Sequence, residues 1–338
     1  MTHAWLVPAA GALGCLFTYL IWRAVEYGHI HDVPNERSMH TGPLAIGAGW
    51  AIVVTVAVLW PWTSTLPVGR LVLILGTTLV LAAISWLDDL RTLPPLWRLL
   101  AQACAVGICL WQLPADAVVL GGIAPRWLDR SITGLGWLWF INLYNFMDGI
   151  DGLTGTETIC IAFGYVVVGL LAATTPAVTD APLALILVGA ASGFLVWNWS
   201  PARIILGDVG SIPMGFLLGW LMLDLAVRGH LAAALILPLH HIADATFTLI
   251  KRFLTVSEPW RPHRQHFYQK AVLRGVPVPR VVLRIAALDA QLICLAILSL
   301  TWPWLALALA GMTTGLLLWH LDGRAPKTAS LHGVRRPD

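Results

Sequence analysis

The chain is organised around the stretch Asn142-Leu-Tyr-Asn145-Phe-Met-Asp148-Gly-Ile-Asp151-Gly-Leu153, which sets amide and acid side chains at the end of an apolar run. The four polar residues are three positions apart, and this spacing keeps side chains near one face of a helix. They are therefore predicted to leave the apolar segment as one stripe. The glycines that follow predict that the stripe ends in a turn. Acids at the end of a membrane helix are costly to place and usually mark a functional site.

The composition is that of a membrane protein. Of 338 residues, 58% are hydrophobic and 12% are charged, and the mean hydropathy is +0.76. A soluble domain carries about 25% charged residues, so an integral membrane protein is predicted and a soluble enzyme is excluded. The five cysteines lie inside apolar runs without a CxxC pair, which indicates packing residues rather than disulfides or metal ligands. No feature predicts nucleic-acid binding.

Apolar stretches of membrane-spanning length occur along the whole chain. They are 4–25, 45–62, 70–88, 98–114, 132–147, 157–175, 181–199, 211–228, 231–250, 281–301 and 303–321. These predict an all-α protein, a polytopic membrane helix bundle of 10 or 11 transmembrane helices. We expect a single integral membrane domain over 1–325 and a polar cytoplasmic tail over 326–338.

The basic residues predict the orientation. If loop 26–44 is cytoplasmic, all of the 21 Lys and Arg residues except Arg70, Arg126, Arg130 and Arg228 lie inside or at inner helix ends. This asymmetry follows the positive-inside rule. It predicts a multi-pass protein of the bacterial inner (cytoplasmic) membrane, with its N-terminus outside and its active site at the cytoplasmic face.

Five polar clusters fall on the predicted cytoplasmic side. They are Asp32–His40, Asp88-Asp89, the opening stretch, Gly207-Asp208 with Gly210-Ser211, and the basic loop 251–274 with His263, Arg264 and His266. Taken singly, each also fits a plain loop, a solvated helix end, a structural turn or a lipid-headgroup anchor. His263 and His266 have no third ligand nearby, which disfavours zinc. His240 and Asp244 are four apart, which predicts a local hydrogen-bonded pair.

Together the clusters indicate phosphoryl transfer. Five acids from three loops (Asp88, Asp89, Asp148, Asp151 and Asp208) are predicted to meet at one membrane face. They would repel one another unless they bound a cation, and all-oxygen ligation favours Mg²⁺, with Mn²⁺ as the alternative. The Arg- and His-rich loop supplies the opposite charge, suited to phosphates. An acid cluster, a cation and a basic clamp are the parts of a phosphoryl-transfer site.

These motifs resemble the polyprenyl-phosphate N-acetylhexosamine-1-phosphate transferases, the membrane enzymes of glycosyltransferase family 4. The resemblance covers most of the chain and keeps the family order, from Asp32-x-Pro-Asn35-x-Arg37-Ser-x-His40 to His263-x-x-His266. It implies transfer of a sugar 1-phosphate from a UDP-N-acetylhexosamine to undecaprenyl phosphate, with release of UMP and a requirement for Mg²⁺. The product would be the first lipid-linked sugar of a surface polysaccharide such as O antigen.

The resemblance also implies roles for individual residues. Asp208 resembles the metal ligand, and Asp88, supported by Asp89, resembles the acid that deprotonates or positions the lipid phosphate. Asp148 and Asp151 resemble further catalytic acids. The implied substrate-binding residues are Asn35, Arg37, His40, Asn142, Asn145, His263, Arg264 and His266. Direct attack by the lipid phosphate is favoured over an aspartyl-phosphate intermediate, although the residues alone do not decide between them.

Departures from the family pattern bear on the donor. Thr92 stands where relatives often have a third acid or a lysine, and the triple histidine of the muramoyl-pentapeptide enzymes is replaced by His263-Arg-Gln-His266. A simple UDP-N-acetylhexosamine or a 6-deoxy derivative is therefore preferred, with the peptidoglycan branch as the alternative. An ion-coupled transporter is disfavoured because the acids lie at helix ends and no repeat is evident. The pattern leaves the oligomeric state open, including a homodimer.

Overall fold

The computed structural model describes residues 3–32, 39–40, 42–91, 93–114, 116–172, 180–255 and 263–323. Within these residues the chain forms thirteen α-helices and three short strands. The helices are α1 (Leu6–Tyr27), α2 (Gly49–Thr63), α3 (Val68–Leu90), α4 (Pro95–Trp111), α5 (Arg126–Phe146), α6 (Leu153–Leu171), α7 (Ala181–Asn198), α8 (Asp208–Val227), α9 (Leu231–Ile236), α10 (Leu239–Thr255), α11 (Phe267–Leu273), α12 (Val278–Leu298) and α13 (Pro303–Asp322). The strands are β1 (His31–Asp32), β2 (Leu44–Ile46) and β3 (Ile204–Ile205).

The helices have the length and composition of membrane spans. In the described residues, seven are long and apolar enough to cross a membrane: α1, α3, α6, α7, α8, α12 and α13. Helices α2 and α4 are shorter but also apolar. The chain is therefore a polytopic membrane helix bundle, which confirms the predicted fold class.

Helix α8 lies at the centre of the bundle. In an apolar stretch of 18 residues within α8, 94% of the residues are buried, whereas 22% are buried in the corresponding stretch of α1. Helices α2, α3, α5, α6 and α9 pack around it. Because Asp208 is the first residue of α8, the most buried of the seven long apolar helices brings this acid to one end of the bundle.

A small sheet ties the first loop to the loop before α8. Strand β2 runs antiparallel to β1 and parallel to β3, with Ala45 opposite Ile204. The N–H of Gly49 donates to the carbonyl of Leu206 over 2.9 Å. A Cβ at Gly49 would lie 2.1 Å from the Cα of Gly210, so these two backbone segments are too close for any residue other than glycine. The first loop is thereby held beside Asp208.

The ninth predicted span, 231–250, consists of two helices. Helix α9 ends at Ile236 and α10 begins at Leu239, with Pro238 between them. Proline has no N–H and its ring crowds the preceding turn, so it interrupts a helix. The two histidines that follow, His240 and His241, are buried.

Two other boundaries differ from the sequence prediction. Helix α5 begins at Arg126 rather than at 132, because the Asp129 carboxylate accepts hydrogen bonds from the N–H groups of Val119 (2.9 Å) and Leu120 (3.2 Å). These bonds tie a charged first turn to the preceding loop. The predicted basic loop contains the short helix α11, whose N-terminal N–H groups are bound by a side chain of α10.

Candidate active site

Asp88, Asp89 and Asp208 form one group, here called the acid group, where α3 ends and α8 begins. Arg98, in the first turn of α4, contacts the Asp88 carboxylate and lies 3.3 Å from Oδ2 of Asp208. The Asp88 carboxylate also accepts a hydrogen bond of 2.7 Å from the N–H of Leu93. One guanidinium therefore holds two carboxylates from different helices next to each other.

Asp89 points away from Asp88 and caps α8. Its two oxygens accept hydrogen bonds from the N–H groups of Asp208 (3.1 Å) and Val209 (3.0 Å). Adjacent residues on a helix diverge by about 100°, so the two neighbouring acids have different partners. Gly207 allows this contact, because its φ is +78° and a Cβ there would lie 2.8 Å from Oδ2 of Asp89.

The polar stripe is divided between a helix and a turn. Helix α5 ends at Phe146, so only Asn142 and Asn145 are helical, and the two acids lie beyond it. The side-chain amide of Asn142 donates to Oε1 of Gln102 over 2.7 Å. Asn145 is buried, and its Nδ2 has no hydrogen-bond partner within the described part of the chain. Gln102 lies one turn after Arg98 on α4, so this helix connects the stripe to the acid group.

Asp148 and Asp151 stabilise the turn between α5 and α6. Oδ1 of Asp148 accepts a hydrogen bond of 2.7 Å from the Thr154 hydroxyl. Oδ2 of Asp151 accepts one of 3.0 Å from the N–H of Ala202, in the loop before α8. Asp148 and Asp151 thus each bind a residue outside the acid group. The same turn contacts α11, because a Cβ at Gly149 would lie 2.2 Å from the Tyr268 hydroxyl.

Asp244 anchors the segment from His263 to His266, here called the histidine loop. Its buried carboxylate accepts hydrogen bonds from the N–H groups of Phe267 (3.1 Å) and Tyr268 (3.3 Å), and from Nδ1 of His266 (3.1 Å). A carboxylate only accepts, so Nδ1 of His266 is the donor. The predicted local pair between His240 and Asp244 is therefore wrong, because His240 instead binds Glu157 of α6.

His263 and Arg264 precede α11 and are partly exposed. The rings of His263 and His266 lie 5.1 Å apart. Burial, together with the nearby His266 and Arg252, lowers the pKa of His263 to about 4. His263 is therefore uncharged at neutral pH, and the fixed positive charge of this loop comes from arginine and lysine.

The first loop is described only in part. Nε2 of His40 lies 3.0 Å from Oδ2 of Asp32, and Nδ1 lies 2.7 Å from the carbonyl of Gly42. Because a carbonyl only accepts, Nδ1 of His40 donates to Gly42. The predicted substrate-binding residues Asn35 and Arg37 lie outside the described residues.

The acid group has the ligand chemistry that Mg²⁺ prefers. Carboxylate oxygens are hard ligands, and those of Asp88 and Asp208 converge on one positively charged group, the guanidinium of Arg98. Asp208, at the start of α8, therefore has the chemistry of a magnesium ligand and would hold the ion, whereas Asp88 binds Arg98.

Three residues that contact the site are absent from the sequence prediction. From the sequence, Arg98 is only one of the basic residues at inner helix ends, and Gln102 lies in an apolar run. The spacing of Asp244 predicts only a local pair with His240. Each has its partner on another helix, at a distance of 40 residues or more in two of the pairs: Asn142 with Gln102, and Asp208 with Arg98. Local spacing carries no signal for such pairs.

The chain is similar to known proteins over the part that contains the acid group and the stretch 142–153. The family model described as Glycosyl transferase family 4 covers residues 71–226, which include the acid group and the stretch 142–153. The Streptomyces coelicolor protein named "Putative glycosyltransferase SCO3672" is 30% identical over 295 residues, which are 78% of this chain and 70% of that protein. This chain belongs to glycosyl transferase family 4.

Other relatives of this family 4 member are named for their reactions. The Bacillus subtilis "Probable undecaprenyl-phosphate N-acetylglucosaminyl 1-phosphate transferase" is 25% identical over 268 residues, 75% of this chain and 72% of the relative. A phospho-N-acetylmuramoyl-pentapeptide-transferase of Trichormus variabilis is 29% identical over 231 residues, 62% of this chain and 61% of the relative. The family 4 homologues are thus phosphosugar transferases, and both donor branches weighed from the sequence are represented among them.

Proposed function

We propose that this protein transfers an N-acetylhexosamine 1-phosphate from a UDP-sugar to undecaprenyl phosphate and releases UMP. The observation that carries the proposal is the acid group, in which Asp88 and Asp208 flank one guanidinium at an end of a membrane bundle. At such a position a lipid phosphate and a water-soluble nucleotide can meet. The lipid-linked product would begin a surface polysaccharide.

The reaction needs little activation of its nucleophile. A phosphate monoester is largely dianionic near neutral pH, since its second pKa is about 6. An oxygen of the lipid phosphate forms a bond to the sugar-bearing phosphorus of the donor. The bond between that phosphorus and the bridging oxygen breaks, and UMP leaves with the electron pair. Positioning and charge stabilisation account for most of the catalysis of such a transfer.

We assign Asp88 and Arg98 to the acceptor side. Arg98 can contact a phosphate with a planar fork of donors, and Asp88 keeps that fork oriented. Asp89 fixes the start of α8 and with it the position of Asp208. A magnesium ion, when bound at Asp208, would neutralise charge that develops on the diphosphate. The side chains of Asn142 and Asn145 would line the path between the two substrates.

We assign the histidine loop to the donor phosphates. Asp244 orders the start of α11 and orients His266, so that His263 and Arg264 lie on a fixed segment. Beside it, a cleft of about 440 Å³ between α10 and α11 is lined in part by Lys251, Gln265 and Lys270. The two lysines suit a diphosphate.

We further propose the inner membrane, with the site at the cytoplasmic face, because the Lys and Arg distribution favours this orientation. For the donor, the sequence His263-Arg-Gln-His266 supports a simple UDP-N-acetylhexosamine. The muramoyl-pentapeptide donor is the second candidate, favoured by the name of the Trichormus variabilis relative.

The test uses purified protein in detergent with undecaprenyl phosphate, Mg²⁺ and a panel of UDP-N-acetylhexosamines or UDP-muramoyl-pentapeptide. We expect UMP release that depends on the lipid, is abolished by EDTA and is fastest with a simple donor. Asp208→Asn should lower turnover at least 100-fold in a protein that still elutes as a monodisperse species. Full activity of that variant would overturn the metal assignment, and UMP release with the pentapeptide donor alone would transfer the protein to the other branch. No UMP release from folded protein with any donor would refute the reaction.

A further inference from the structure

A second polar cluster lies inside the bundle, separate from the acid group. Glu157 is in the second turn of α6, and His240 and His241 are in the first turn of α10. Asp289, in the middle of α12, is a further buried acid that lies outside the group of side chains close enough to share one ion. The first three side chains are fully buried, and Asp289 is 1% exposed. Ionisable side chains are rare inside membrane bundles and usually have a function. The proposed transfer reaction makes no use of these four.

Three of the side chains converge on one point. Nδ1 of His240 donates to Oε1 of Glu157 over 2.6 Å, and Nδ1 of His241 lies 2.8 Å from the same oxygen. One ligand atom from each residue can be chosen so that all three lie within 4.8 Å of one another. Ligand atoms of a tetrahedral zinc ion are about 3.4 Å apart, since each bond is about 2.0–2.2 Å. A small rotation of the side chains would therefore close the set around one ion.

Most of the polar atoms in this cluster lack a partner. Within the described part of the chain, no hydrogen bond reaches Oε2 of Glu157, Nε2 of His240 or Nε2 of His241. A buried polar atom left without a partner is costly. The absence of partners for all three indicates that another species satisfies them.

The charge of the cluster favours a divalent metal over protons. The Glu157 carboxylate in an apolar interior must be neutralised. Protonating an imidazole would balance its charge, but it would create an N–H donor at Nε2 that has no acceptor in the described residues. A divalent cation neutralises the carboxylate and uses the lone pairs of neutral imidazoles. Two histidines with one carboxylate are a ligand set typical of zinc and related transition metals.

Tyr144 supports the cluster from the side of the active site. Its ring lies 5.1 Å from the ring of His241, and its hydroxyl lies 2.6 Å from that of Thr158. The tyrosine is part of the stretch 142–153, so the cluster is packed directly behind the polar stripe. Asp244, which holds His266, is one turn further along α10 from His240. A metal here would fix α10 against α6.

We propose that Glu157, His240 and His241 bind a structural divalent transition-metal ion of the zinc type. The ion joins α6 and α10 and sets the position of α10 under the histidine loop. It is independent of the magnesium assigned to Asp208 and of the identity of the sugar donor.

Metal analysis of purified protein tests the proposal without any activity assay. Elemental mass spectrometry of EDTA-washed wild-type protein should find a zinc-type ion in a ratio of about one per chain, and Asp208→Asn should retain it. His241→Gln and Glu157→Gln should lose the ion and melt at a lower temperature. His320→Gln, which changes an exposed histidine of α13, is the matched control and should keep both the ion and the melting temperature.

Protein purified without the ion would be loaded with Zn²⁺ or Co²⁺, and we then expect a rise in melting temperature and the visible absorption of four-coordinate Co²⁺. If His241→Gln does not fold, His240→Gln replaces it, since it removes a different ligand of the same group. Folded wild-type protein that neither carries nor takes up metal would overturn the proposal. So would retention of the ion in both His241→Gln and Glu157→Gln, or its loss in Asp208→Asn alone.

Discussion

Arg98 is the residue on which the geometry of the acid group depends. Its guanidinium contacts Asp88 and lies 3.3 Å from Asp208, and the side chains of these acids are 6% and 13% exposed. Without the arginine, two poorly hydrated carboxylates would face each other. The positive charge therefore keeps the end of α3 next to the start of α8.

Arg98→Ala should destabilise the protein and abolish its activity. Removing one partner of a buried ion pair costs about 3–5 kcal/mol, and we expect about 2 kcal/mol because Arg98 is partly exposed to solvent. Arg98→Lys should recover part of the stability but little activity, since lysine lacks the planar fork. Melting temperature and UMP release measure the two effects. Arg91→Ala, at an exposed arginine just after α3, is the control. Equal effects of Arg91→Ala and Arg98→Ala would contradict the assignment.

His263 should make the stability of the protein depend on pH. Its pKa is about 4 in the folded chain and about 6.5 when unfolded, so between these values the unfolded chain binds more protons. The contribution of neutral His263 to the free energy of unfolding is complete above pH 6.5 and is lost as the pH falls toward 4. We expect the melting temperature of wild-type protein to drop more between pH 7 and pH 5 than that of His263→Gln. Parallel pH profiles would show that His263 does not titrate in this range.

At the scale of elements, the start of α8 is fixed by one glycine and one carboxylate. Gly207 adopts a φ of +78° and leaves room for Asp89, whose oxygens bind the first N–H groups of the helix. The short sheet and the contact between Gly49 and Gly210 hold the same segment from the other side. The position of Asp208 is therefore determined by backbone contacts of α8 rather than by its own side chain.

Gly207→Ala should impair catalysis more than its backbone strain explains. An alanine at positive φ costs about 1–2 kcal/mol, and at this position its Cβ would also displace Asp89. Gly229→Ala separates the two effects, since Gly229 has a φ of +89° but nothing lies within 4 Å of the added Cβ. We expect both variants to lose stability and only Gly207→Ala to lose at least 10-fold in UMP release. Similar activities of the two variants would show that Asp89 tolerates the displacement.

At the scale of the whole molecule, the loops after α3, α5 and α7 and the loop between α10 and α12 meet at one end of the bundle. Contacts from Asp89 to Val209, from Asp151 to Ala202 and from the turn at Gly149 to Tyr268 join them. The eleven apolar stretches predicted this arrangement, because an alternating path across a membrane returns the polar loops to the same side. The length of an apolar stretch and the bias of basic residues toward one side can both be recognised in short stretches of sequence.

The pairing of side chains across helices could not be predicted in this way. The spacing of His240 and Asp244 suggested that they bind each other, yet each faces a different neighbour, Glu157 on α6 and the start of α11. The partner of a helical residue depends on which helix packs beside it, and one sequence contains no record of that packing. The same limit applies to Arg98.

The orientation of the bundle can be tested with single cysteines in a variant without the five native ones. Ile123→Cys lies in the loop between α4 and α5, where Ile123 is 92% exposed, and Arg91→Cys lies in the loop between α3 and α4. A membrane-impermeant thiol reagent should label intact inverted vesicles at position 91 and intact spheroplasts at position 123. The reverse pattern would place the acid group on the outer face.

The burial of α8 has an electrical consequence. The aligned peptide dipoles of a helix give its N-terminus a partial positive charge of about half an elementary charge. Along most of α8 this dipole is surrounded by apolar side chains, where dissolved ions do not penetrate. Ions approach the helix only at its end, where Asp208 lies, and charges in water are screened within about 8–10 Å at ordinary salt concentrations. The pull of the dipole on an anion at the site should consequently weaken as the ionic strength rises.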